Sequence, residues 1–109
     1  MANRFKNANF DLTTTDVTDI YTVPAESRAI VQNIHVANVG SSNTEIKAFI
    51  DDDSASRSYQ FAEHTVNSGN SRSMSDGPVI LEENDKLQLS AASGNVFEGT
   101  VSILEFDRS

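Results

Sequence analysis

The side chains best suited to chemistry in this sequence are two histidines, a run of three aspartates and a scatter of serines. Zinc needs three or four nitrogen or sulfur ligands at tight local spacing, as in His-Glu-x-x-His, and His35 and His64 each stand alone. Both fall in segments that alternate like strands, where a histidine makes ordinary hydrogen bonds or a pH-sensitive contact between subunits. Asp51-Asp52-Asp53 offers the oxygen-rich surroundings that calcium favours. A helix-loop-helix calcium loop, however, spaces its acids at alternate positions, with glycine at the sixth and glutamate at the twelfth. Consecutive carboxylates on extended chain point in alternating directions, so a solvated hairpin turn is expected instead. The serines lie in no Gly-x-Ser-x-Gly, and neither Gly-x-Gly-x-x-Gly nor a phosphate loop occurs. Glu82 and Glu83 are adjacent on a polar turn facing water. The sequence therefore predicts a non-enzyme with no catalytic residue, no resident metal and no cofactor.

Composition narrows the partners. The sequence has 109 residues, the size of one ordinary domain, and two halves would each be too small for a core. It has no cysteine, so neither disulfides nor thiolate metal sites are available. Sixteen acidic side chains against eight basic ones give a formal charge of −8, and no stripe of Lys and Arg forms. Such a surface repels phosphate backbones, and nucleic acid is not an expected partner. Apolar runs stop at three residues (Ala29 to Val31, Ala48 to Ile50, Val79 to Leu81), which predicts no membrane span. Met1 to Phe10 is polar and lacks the apolar stretch of a secretory signal.

The elements that would position these side chains are strands. Period-two alternation recurs in short segments separated by turn residues. Candidates are Asn9 to Thr15; Thr18 to Val23, stopped by Pro24; Arg28 to Val39; Thr44 to Asp51; Ser58 to Val66; a weak Ser71 to Ser75; Val79 to Leu81; Leu87 to Ala91; and Thr100 to Phe106. In the longest, Ile30, Ile34 and Val36 share one face by alternation, while Val31, His35 and Ala37 share the other. Two apolar faces on one strand predict a central position or a contact between chains. The fold class expected is all-β, an antiparallel β-sandwich or jelly roll of about eight short strands. Residues 1–15 would form an N-terminal arm and first strand, and residues 16–109 the sandwich.

The arm is where charge is asymmetric. Arg4 and Lys6 are the only charges among the first ten residues, while Asp11, Asp16, Asp19 and Glu26 follow with no base between them. A basic, extended arm could dock on an acidic groove of a neighbour, with Phe5 and Phe10 as apolar anchors; a frayed terminus is the alternative. Arg4, Phe5, Lys6 and Phe10 are thus the candidate partner-binding residues.

Two stretches carry a resemblance. Ile20-Tyr21-Thr22-Val23-Pro24-Ala25, continuing through Ala29-Ile30-Val31-Gln32-Asn33-Ile34-His35-Val36-Ala37-Asn38, resembles small virion structural proteins of tailed bacteriophages, especially of marine and cyanobacterial hosts. Val79 to Leu87, reading Val-Ile-Leu-Glu-Glu-Asn-Asp-Lys-Leu, is similar to a hairpin of the same proteins, and Val101 to Phe106 fits their ending. Glu26 and Asn84 stand where that pattern has glycine. Asparagine tolerates positive φ in a turn, whereas Glu26 predicts a different turn after Pro24. The resemblance implies a capsid decoration or cement protein, homotrimeric, binding the major capsid protein or another virion protein. It would be found in the virion after assembly in the host cytoplasm. A neck, tail or fibre-attachment component is the nearest alternative. A carbohydrate-binding β-sandwich is the rival from another class, set against the absence of Trp and the presence of only two tyrosines, Tyr21 and Tyr59.

Overall fold

The structure, a computed structural model, describes residues 3–107. Met1, Ala2, Arg108 and Ser109, which fall in the ranges assigned above to the arm and the sandwich, lie outside the described residues. Among the described residues nine strands form: β1 (Asn3–Leu12), β2 (Thr18–Thr22), β3 (Ser27–Asn38), β4 (Thr44–Asp52), β5 (Arg57–Val66), β6 (Ser71–Ser73), β7 (Val79–Leu81), β8 (Lys86–Ala91) and β9 (Phe97–Asp107). One sheet has the order β1-β9-β3, with the short β6 and β7 both pairing the far side of β3. The other has the order β2-β8-β4-β5, and every pairing is antiparallel. The chain crosses between sheets at nearly every turn. With β6 and β7 acting as one interrupted strand, this is the strand order of an eight-stranded jelly roll, as the alternation predicts.

Between the sheets lies one core, including Leu12, Ile34, Ile46, Met74, Leu81, Leu87, Leu89, Phe97 and Ile103, all fully buried. Met74 sits in the break between β6 and β7, and its N–H donates to the Ile34 carbonyl at 2.8 Å, which carries the ladder across the gap. Two buried polar side chains staple the turns. Asn38 Nδ2 donates to the Ser42 and Val66 carbonyls at 2.9 and 2.8 Å, and its Oδ1 accepts from the Gly40 N–H at 2.9 Å. Asp85 accepts from the N–H groups of Asp53 and Glu82 at 3.0 and 2.9 Å. Buried polar atoms cost little when they are paired in this way.

Three expectations change. The longest strand sorts its apolar residues differently from simple alternation. A bulge between Val31 and Asn33 inserts a residue into β3 opposite β9 and reverses the parity. Ala29 and Val31 before it, and Ile34, Val36 and Asn38 after it, therefore all point into the core, leaving Ile30, His35 and Ala37 outside. β3 is central, between β9 and the β6–β7 segment, which is one of the two outcomes expected, and its outer face keeps Ile30 and Ala37 as apolar residues. Secondly, β1 begins at Asn3 and β9 at Phe97, both earlier than alternation alone suggested, because each completes the other's ladder. Thirdly, Glu26 takes a backbone conformation usual for glycine. It adopts φ 60°, the left-handed conformation that glycine would take there, as do Asn84 (φ 67°) and Asn95 (φ 60°). The Glu26 N–H donates to the Glu83 carboxylate, which helps to hold it.

Candidate functional site

The four residues of the predicted arm lie on β1, paired along its whole length with β9 of the same chain, from Asn3 opposite Phe106 to Leu12 opposite Phe97. An arm reaching away from its own sandwich is therefore not what residues 3–12 form. Alternation splits the four. Arg4, Lys6 and Phe10 point inward with Ala8 and Leu12, whereas Phe5 points outward with 78% of its surface exposed. The basic residues serve a partner within the chain. Glu105 stands on the inward face of β9, in line with Val101 and Ile103, and is fully buried. Arg4 Nη2 donates to its Oε1 at 3.0 Å, Lys6 Nζ to its Oε2 at 3.2 Å, and Tyr21 Oη to its Oε2 at 2.5 Å. Arg4 also reaches Asp107 at 2.8 Å, and Ser27 Oγ donates to Asp107 at 3.2 Å.

This cluster joins the two sheets, since Tyr21 belongs to β2 and Glu105 to β9. Burial alone would push the Glu105 carboxyl up. The hydrogen bonds from Tyr21, Arg4 and Lys6, with the Lys6 charge, outweigh burial and hold it below the usual carboxylate range. Tyr21 moves the opposite way, raised by burial and then by the hydrogen bond and charge of Glu105, with Arg4 opposing. In this cluster the two cations, Arg4 and Lys6, are matched by two carboxylates, Glu105 and Asp107. Parity was the signal that could have located it: Glu105 shares its face with Val101 and Ile103, and Arg4 and Lys6 share theirs with Phe10 and Leu12.

The remaining sequence candidates are dispersed. His35 is exposed on the outer face of the first sheet, and His64 borders a shallow groove between β5 and the β6–β7 segment, with Phe61, Met74, Pro78 and Val79. Asp52 Oδ1 accepts from Ser54 Oγ at 2.7 Å and from the Ala55 N–H at 3.3 Å, which closes the β4–β5 turn. Among the described residues, no three His, Asp or Glu side chains are grouped to hold a metal ion. No helix there is long and apolar enough to cross a membrane.

The outer faces of the sheets differ. On the second sheet the outward residues are mostly charged or polar, among them Asp19, Glu45, Lys47, Lys86 and Gln88. Protonated Glu45 donates to the Glu63 carboxylate, which raises the Glu45 carboxyl and lowers that of Glu63. On the first sheet, register brings Phe5 opposite Leu104, Leu104 opposite Ile30, and Ile30 opposite Ile80. That makes a continuous apolar row across four strands. Ile80 is 69% exposed, and Phe106 lies beside the row, opposite Arg28. Sequence reasoning missed this row because its members come from four distant segments and only pairing aligns them.

These features define a jelly-roll domain held by an apolar core and an inter-sheet ionic cluster, a class shared by capsid and lectin domains. No family model matches the chain, and no curated protein matches it in sequence. Solved structures share the fold. A chain of the capsid structure of Helicobacter pylori bacteriophage KHP30 superposes with a TM-score of 0.61 at 15% identity, over 100% of this chain and 90% of that one. A chain of the T13 IBDV viral particle gives 0.59 at 7% identity, over 94% of this chain and 30% of its own. Bacillus endospore appendages, disulfide-linked pili, give 0.58 at 8%, over 99% and 88%. At these identities the likeness is one of fold.

Proposed function

We propose that this chain is a non-enzymatic structural protein of a phage virion, a decoration or cement protein that binds the outside of the head and stabilises it. The observation that carries this reading is a jelly roll formed by residues 3–107, with an apolar row left on the outside of one sheet. The likeness to the KHP30 capsid chain, which covers nearly all of both chains, supports it, as does the sequence resemblance from Ile20 onward. Many modest contacts acting together suit a small acidic domain on an assembled shell. Of the four residues suggested for partner binding, Phe5 is the one that the fold leaves outside. Arg4, Lys6 and Phe10 would contribute to a partner only by holding β1 in place.

The carbohydrate-binding reading lacks a platform. Tyr21 is tied to Glu105, and the Arg57 guanidinium lies 4.6 Å from the Tyr59 ring centroid, covering a face that a sugar would stack on. A neck or tail component remains the nearest rival. Mixing the purified protein with undecorated heads and imaging them separates the two. Copies spread over the head surface are the expected result, and a ring at one vertex means neck or tail. Absence from both sinks the virion reading.

A further inference from the structure

We propose that a second copy of this chain covers the outer face of the first sheet, related by a two-fold axis that runs along the strands between β9 and β3. The two copies would stack face to face. This inference stands independently of the virion reading.

Self-complementarity is what singles out a second copy. The row Phe5–Leu104–Ile30–Ile80 crosses β1, β9, β3 and β7 in that order. Rotation about an axis along the strands, midway between β9 and β3, reverses the row onto itself. Leu104 then meets Ile30 of the second copy, and Phe5 meets Ile80. In the neighbouring row Phe106 is paired with Arg28, so the same rotation lays each Arg28 over the other copy's Phe106, a favourable cation–aromatic contact. An isologous interface requires that a patch complement itself in this way.

Charge agrees with the same axis. At the far end of the face Asp11 and Glu98 are paired side by side and both point outward. The rotation sets Glu98 against Ala37 and Asp11 against Ser71, which lie in the same row on β3 and β6. No carboxylate then faces a carboxylate, although the chain carries a formal charge of −8. The outer face of the second sheet, with its acids and lysines, offers no such match.

Area is sufficient for a specific pair. The face is four strand columns wide and β1 is 10 residues long, so at about 4.8 Å per column and about 3.3 Å per residue it offers on the order of 600 Å² per copy. About 1,200 Å² in total lies at the lower edge of specific interfaces, the size class that includes weak, transient pairs. The spacing of stacked sheets, about 10 Å, leaves room for one interdigitated layer of Phe, Leu and Ile side chains.

Sedimentation velocity from about 1 to 200 µM tests the pair. The wild-type chain should move from monomer to dimer across that range, and a monomer throughout would overturn the proposal. Phe5→Lys and Ile80→Lys alter exposed side chains, so each should keep the wild-type circular dichroism and, at concentrations where the wild type is monomeric, its melting temperature, while dissociation rises at least tenfold. Thr65→Lys, exposed on the second sheet, should leave the dimer intact. Dimers that survive both lysine variants would refute this surface. Since the chain lacks cysteine, disulfide trapping tests the axis. A mixture of Phe5→Cys and Ile80→Cys proteins should cross-link as mixed pairs, and neither variant should do so alone. Homogeneous cross-links in place of mixed ones would refute the axis.

Discussion

Near its C-terminal end β1 directs Phe10 and Leu12 into the sandwich, where Leu12 is fully buried and the Phe10 ring lies against Gly99 of β9. Near its N-terminal end the same inward face carries Lys6 and Arg4, which meet a buried Glu105 and its hydrogen-bond partner Tyr21. One strand pair thus closes the sandwich by apolar packing at one end and by ion pairing at the other. The difference teaches how a small domain can finish its core where the sheets open to water. Apolar side chains there would be half wetted, whereas cations on long stems can satisfy an inward carboxylate and keep their heads in solvent. The apolar end tolerates changes of shape poorly, and the ionic end is sensitive to charge and pH.

The largest effect is expected at the apolar end. A Cβ on Gly99 would collide with the His35 backbone carbonyl and come within 2.5 Å of the Phe10 ring. Backbone cannot yield as a flexible side chain would, so Gly99→Ala should cost about 3 kcal/mol or more. Thermal unfolding should then fall by roughly 12–20 °C for a domain of this size. Gly77→Ala, where a Cβ meets nothing within 4 Å, is the matched control and should leave the melting temperature nearly unchanged. Equal melting of the two variants would remove the distinction between the ends.

Next comes the buried carboxylate. Glu105→Ala leaves the Tyr21 hydroxyl without its acceptor and opens a void, for a loss of about 2–3 kcal/mol in chemical denaturation. Glu105→Leu fills the space and lets the half-exposed cations turn to water, so it should cost less. Should Leu prove worse than Ala, the charge rather than the volume dominates this end.

The pH profile follows from the same contacts. Glu105 is held below the ordinary carboxylate range, so its contribution is complete above the unfolded pKa of about 4.3 and lost as pH falls through the folded value. Tyr21 is raised, so its contribution is complete below about pH 10 and lost as pH rises toward the folded value. Stability should therefore decline on both sides of a broad plateau. Tyr21→Phe should flatten the alkaline branch, and Glu105→Gln the acid one. A wild-type alkaline branch that persists in Tyr21→Phe would assign it to another group.

Phe10→Ala ranks below these. Phe10 is only partly buried, so its removal uncovers Gly99 at a cost of about 1.5 kcal/mol, read as a lower denaturant midpoint with an unchanged slope. A loss above that of Gly99→Ala would mean that the ring, not the close backbone approach, organises this end.

Much of the fold was legible in the sequence because strand periodicity and turn residues are local. The turn staples Asn38 and Asp85 lie inside the two stretches that carry the phage resemblance, where strand-and-turn chemistry is densest. What the sequence concealed depends on pairing. The bulge at Val31 and Asn33 reverses a face that simple alternation assigned the other way, and nothing local in Gln32 or Asn33 marks it. Of Arg4, Phe5, Lys6 and Phe10, the two cations find their partner, Glu105, about a hundred positions away, while Phe5 faces outward. Charge asymmetry near the N-terminus pointed outward, and the register turned it inward.

The smallest effect separates the two cations from the carboxylate they serve. Arg4 is half exposed and shares itself between Glu105 and Asp107, at 3.0 and 2.8 Å. If it is truncated, Lys6 and Tyr21 still hold Glu105, and water reaches the vacated position. Exposed ion pairs contribute little and are screened by salt. Arg4→Ala should accordingly shift the melting temperature less than Phe10→Ala does, and the shift should shrink further as ionic strength rises. Combining Arg4→Ala with Lys6→Ala removes both cations from a fully buried carboxylate, so the double variant should lose more than the sum of the two single losses. It should also raise the acid midpoint of unfolding, because Glu105 would then protonate more readily. Strict additivity, with an acid midpoint like that of the wild type, would show that Tyr21 alone suffices for Glu105 and that the basic end of β1 is dispensable to the fold.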